Sequence, residues 1–141
     1  MKTNDFTCDA EVRALVLAFE TGSLGLAEFG HSAHLAVAMA YLADESLAAA
    51  TVQMRTGLHR FLAHHGQSGG YHETLTLFWM RLLDHLARYR HSRLPLWQRV
   101  NAVVRSHGGS WPVQAHYSRE CTGSAEARQH WVAPDLLPLP F

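Results

Sequence analysis

The sequence predicts an all-α, single-domain bundle of about five helices, spanning residues 1–141, with an ordered C-terminal tail wrapped around it over 111–141. Three observations carry this. Apolar residues recur at steps of three and four through the first three quarters of the chain, the period of one helical face. Gly and Pro clusters punctuate those runs at helical lengths, and no strand-like alternation appears before Gly108.

Residues 9–20 place Val12, Leu15, Val16 and Phe19 on one face, and Gly22 supplies a stop. A second helix is expected over 26–43, its stripe reading His31, His34, Leu35, Ala38, Tyr41 and Leu42 in an Ala-, Leu- and Met-rich interior. Asp44 is placed to cap a third helix that runs to His65 with Leu47, Met54, Leu58, Phe61 and Leu62 inward, and the glycines of 66–70 break it. The fourth, over 71–90, aligns His72, Thr76, Trp79, Leu83 and Leu86. A fifth, shorter helix over 96–106 opens beside Pro95 and closes at Gly108 and Gly109. The remainder holds four of the five prolines, two tryptophans and a helix-like stretch at 124–129. Its end, 134–140, is too apolar for a solvated tail.

Composition narrows the function classes. Hydrophobic residues make up 48% and charged residues 17% of a chain of 141 residues, enough for a core without staples. Basic and acidic side chains balance at 12 each, and the short cluster at 88–93 is no nucleic-acid footprint, so a nucleic-acid partner is not expected. The apolar runs fall short of a membrane span, the first residues lack the apolar core of a signal peptide, and a cytoplasmic location is the expectation. Cys8 and Cys121 stand far apart as free thiols. No Gly-x-Ser-x-Gly motif occurs, and residues 66–70 lack the Lys of a phosphate loop.

Histidine is the unusual component, 11 residues against 4 Met and 2 Cys, so any soft-metal chemistry would run through imidazole nitrogen. His31 and His34, three apart, share a helical face and can converge on one point. Glu28 lies one step of three upstream, but a drift of about 60° per step sets it behind the histidines as a ligand. His72 falls on the inward stripe of another helix, with Tyr71, Glu73, Thr74 and Thr76 near enough to orient its ring. Facing helices of a bundle can bring such groups together. His31, His34 and His72 are therefore the expected ligands of one transition-metal ion, with Cu, Fe, Zn and Ni all compatible.

His59, His64 and His65, in the last turns of a helix, suit its negative end; His85, His91, His107 and His130 are expected in solvent. His116 and Tyr117 are the candidate catalytic pair, carried by the tail as a lid over the ion, with a fourth-ligand role or a hydrogen bond that pins the tail as the alternatives for His116. Phe29, Tyr41, Tyr71 and Trp79 are expected to wall an apolar pocket for a small organic substrate. Without paired Glu-x-x-His motifs a mononuclear site is expected rather than a di-iron centre. The expected function is thus a mononuclear metal-dependent enzyme acting on a small organic molecule, an oxidoreductase ahead of a hydrolase, and the alternative a non-catalytic metal-binding or metal-sensing protein.

The segments Phe29 to Leu42 and Tyr71 to Trp79, together with Pro134 to Pro140, resemble a family of short helical bacterial proteins with a Phe-x-His-x-x-His-Leu and a Tyr-His-x-Thr-x-Thr-x-x-Trp signature. The resemblance implies a bacterial origin and a unitary fold, and no particular reaction.

Overall fold

The computed structural model describes residues 5–89 and 93–141. Five long helices carry the architecture: α1 (Asp9–Thr21), α2 (His31–Asp44), α3 (Leu47–His64), α4 (Glu73–Tyr89) and α5 (Leu96–His107), followed by the short α6 (Trp111–Gln114), α7 (Arg119–Thr122) and α8 (Ala125–Gln129). Among the described residues there is no strand, as the periodicity predicts. The expected ends of the fourth helix at Arg90, and His91, lie outside the described residues.

Helix α2 is the axis of the bundle, packing against α1, α3, α4 and α5. Every residue from 35 to 41 is buried, so the single stripe expected for this helix is a helix buried all round. Its alanines let four neighbours approach closely. The expected start at Leu26 divides: Leu26–Glu28 is a separate 3-10 turn closed by the Glu28 carboxylate on the Gly25 N–H at 3.1 Å, and Gly30 is the N-cap of α2. Glu28 and His31 therefore do not share a helix.

Local chemistry sets the other boundaries. Gly22, at φ 77°, ends α1 with its N–H on the Phe19 carbonyl. Ser46, rather than Asp44, caps α3 by accepting from the Ala49 N–H, while Asp44 ends α2 and accepts two hydrogen bonds from Arg13. At the far end of α3, Gly66 at φ 69° donates to Ala63 and Gln67 to Leu62, the paired bonds of a Schellman motif. Asp9 accepts from the Trp97 N–H in the first turn of α5, and Asn101 binds both backbone groups of Phe6.

The C-terminal segment is ordered by hydrogen bonds and wraps the bundle. Ser118 and Ser124 cap α7 and α8, and α8 packs on α4. The chain then doubles back, with the Leu136 N–H on the His116 carbonyl and Ser118 bound to Asp135 through N–H and hydroxyl. Phe141 reaches Phe78, ring centroids 6.0 Å apart. Among the described residues no helix is long and apolar enough to cross a membrane.

Candidate functional site: a histidine-rimmed apolar cavity

A cavity of about 280 Å³ lies between α2, α3 and α4. Its walls are apolar: Leu35 and Ala38 from α2, Met54, Leu58 and Leu62 from α3, Leu75, Met80 and Leu83 from α4. Polar groups enter from His31, His34, Tyr71, His72, Thr76 and Trp79. The three histidines singled out by spacing thus line one cavity. They do so because the first turn of α2 and the start of α4 meet at the same end of the bundle.

Each imidazole has a different setting. The His31 ring stands edge-on to Trp79 with centroids 4.6 Å apart, and its Nε2 is buried without a hydrogen-bond partner. Burial lowers its pKa, because the apolar surroundings penalise the charged ring. His34 packs edge-on against Phe29 at 4.1 Å. Burial, with a smaller repulsion from His31, pushes the His34 pKa down to about 4. Both rings are neutral at pH 7.

His72 is committed elsewhere. It directly precedes α4, and its Nδ1 accepts the Leu75 N–H at 3.2 Å, the role of an N-cap. A neutral ring that accepts at Nδ1 carries its proton on Nε2, which donates to the Thr122 carbonyl at 2.7 Å. Both nitrogens are occupied by backbone. Among the described residues no group of three His, Cys, Asp or Glu side chains is placed to hold an ion. The structure brings His31, His34 and His72 to one cavity but not into one donor set.

The side chains expected to orient the His72 ring are bonded elsewhere. Thr76 donates back to the His72 carbonyl, Thr74 donates to the His130 carbonyl, and Tyr71 donates to Glu73. Glu73 also receives two bonds from Arg55, both 3.0 Å. Burial alone would raise the Glu73 pKa, yet the bonds from Arg55 and Tyr71 outweigh it and hold the carboxyl below its usual range.

His116 and Tyr117 divide in the same way. His116 does not line the histidine cavity; its Nδ1 meets the Leu137 carbonyl at 2.9 Å and pins the returning chain. Tyr117 is buried, donates to the Val132 carbonyl at 2.7 Å, and lines a neighbouring cavity. Of the aromatic wall, Tyr71 and Trp79 face the histidine cavity. Phe29 instead stacks in the core with Phe19 and Phe61, and Tyr41 donates to Glu20. Glu28, exposed at its turn, lies outside the cavity lining. Of the remaining histidines, His65 departs from the end-of-helix expectation by binding the Leu24 carbonyl.

No family model matches the sequence, and no curated protein or solved structure matches it either.

Proposed function

We propose that this protein binds a small, mainly apolar organic molecule in the cavity between α2, α3 and α4, with His31 Nε2 as its polar partner. The observation that carries the reading is His31, which lines an apolar space of about 280 Å³ and whose Nε2 is buried without a partner. A buried polar atom left unpaired costs about 1–3 kcal/mol, a cost that a ligand hydroxyl, amide or acid would remove on binding. An apolar cavity of about 150 Å³ takes up benzene, so this one has room for a longer chain or a substituted ring. Because burial keeps the His31 ring neutral, Nε2 is also the group suited to take a proton from the bound molecule.

The test is calorimetric titration with octanol, alongside Leu62→Trp, which fills the half-buried rim of the cavity, and His31→Leu, which removes the polar partner. Saturable binding that Leu62→Trp abolishes and His31→Leu weakens supports the proposal. Absence of saturable binding, or equal binding by Leu62→Trp, overturns it.

A second reading keeps a transition-metal ion, Cu, Fe, Zn or Ni, on His31 and His34. It is favoured by two neutral imidazoles three residues apart, one with a free nitrogen, since ligation needs the neutral ring. The positive end of α2 opposes a cation there, and His72 would have to leave Thr122 to join. Zinc titration of the chain and of His31→Ala decides: stoichiometric binding lost in the variant establishes this reading, and weak binding indifferent to the substitution removes it.

A further inference from the structure

A second cavity, of about 440 Å³, adjoins the first; His31, Leu75 and Trp79 line both. Its far side is built by the turn after α5 and by the C-terminal segment, and is polar where Ser110, Gln114 and Arg119 enter. Arg119 is the one charged side chain on either lining among the described residues, and no carboxylate lines either space. The four ion pairs formed among the described residues involve Arg13, Arg55, Arg88 and Arg105. Arg119 is exposed and takes part in none of them.

We propose that the bound molecule is an amphipathic anion, an acyl or aryl chain ending in a carboxylate, with its apolar part in the first cavity and its head group on Arg119 in the second. The proposal rests on the small-molecule reading above and names the class of that molecule. The distribution of charge carries it: a ligand cation would find no counter-charge on either wall, whereas a carboxylate finds a guanidinium whose planar fork matches it. The distribution of polarity gives the orientation. The chain enters the space walled by Leu35, Met54, Leu58 and Leu83, where burial of apolar surface drives binding. The head stays at an exposed arginine and keeps part of its hydration, so the charge is not buried at full cost. His31 lines both spaces and so lies along the path of the molecule.

Calorimetric titration with octanoate, octanol and octylamine, on the unmodified chain and on Arg119→Gln and Arg119→Lys, tests this. Arg119 is exposed, so both variants should fold, which circular dichroism checks. Octanoate should bind most tightly, and Arg119→Gln should weaken it by about tenfold or more while leaving octanol unchanged, the loss expected for one charge-assisted contact. Arg119→Lys should retain part of the preference, and raising the salt concentration should weaken octanoate but not octanol. Equal affinity for octanoate and octanol, or octanoate binding indifferent to Arg119→Gln, overturns the anion while leaving the apolar pocket standing. Tightest binding of octylamine also overturns it. If none of the three binds saturably, the pocket reading fails and this inference fails with it.

Discussion

His72 and Thr122, fifty residues apart in sequence, are joined by an Nε2–H···O=C hydrogen bond of 2.7 Å. The same ring caps α4 through Nδ1, so one imidazole both starts a helix and holds the C-terminal segment against it.

Replacing His72 by Ala should remove both functions. A lost cap costs about 1 kcal/mol and a lost side-chain hydrogen bond about as much, so a drop of roughly 2 kcal/mol is expected in urea unfolding. His72→Asn, which can cap but is too short to reach Thr122, should recover about half. Equal losses for Ala and Asn would show that the ring does not cap α4.

Thr74 should matter as much, although it lines neither of the two cavities. Its fully buried hydroxyl donates to the His130 carbonyl and accepts from the Val132 N–H. Thr74→Val keeps the shape and strands both backbone groups, which predicts a loss of about 1–3 kcal/mol. Limited proteolysis should then cut the segment after α8 earlier than in the unmodified chain, while Thr74→Ser stays close to normal. A Val variant with unchanged stability and cleavage would mean that water replaces the hydroxyl at no cost.

The five long helices, the Gly22 stop and the shared face of His31 and His34 were legible in the sequence, because each depends on spacing along a single helix; that His72 lines the same cavity depends also on how α2 and α4 meet. What was not legible depends on partners far along the chain. The split between Glu28 and His31 follows from Gly25 and Gly30, a punctuation outweighed in the sequence by the apolar periodicity around it. The commitment of both His72 nitrogens required Thr122 to arrive from a segment without a strong pattern of its own. Arg119 shows no motif at all, and its place on a cavity wall comes from how α7 sits. The apolar wall from Met54, Leu58 and Leu62 looks like ordinary core in sequence, since a cavity is bounded by the same residue types that would fill it.

Gly57→Ala should destabilise the protein despite the better helix propensity of Ala. A Cβ at Gly57 would stand 2.7 Å from Phe19 Cε2. That ring cannot yield, being 1% exposed and held between Phe29 and Phe61. Overpacking of this kind costs about 1–3 kcal/mol, more than the gain of up to about 1 kcal/mol from replacing a helical Gly. Thermal unfolding of Gly57→Ala and of the relieving pair Phe19→Leu/Gly57→Ala separates the terms. A rise in melting temperature for the single variant would show that the contact between α1 and α3 has slack.

Stability should fall with acid between about pH 6.5 and pH 4, and His34 should carry much of the fall. In the unfolded chain its imidazole takes up a proton near the ordinary value of 6.5, whereas in the folded chain burial, helped by His31, delays this to about 4. Between those values the unfolded state binds more protons, so stability rises with pH in that window, is flat above it and levels off below it as far as this group is concerned. A separation of about two and a half pH units at about 1.4 kcal/mol each makes the contribution roughly 3 kcal/mol. His31, shifted in the same direction by burial, adds to the slope. Urea midpoints measured from pH 4 to 7 check this, with His34→Leu as the comparison. The variant should lose less stability over that range than the unmodified chain, because the ring that refuses the proton is gone. Parallel curves for the two would mean that His34 titrates normally, and that the first turn of α2 is open to water.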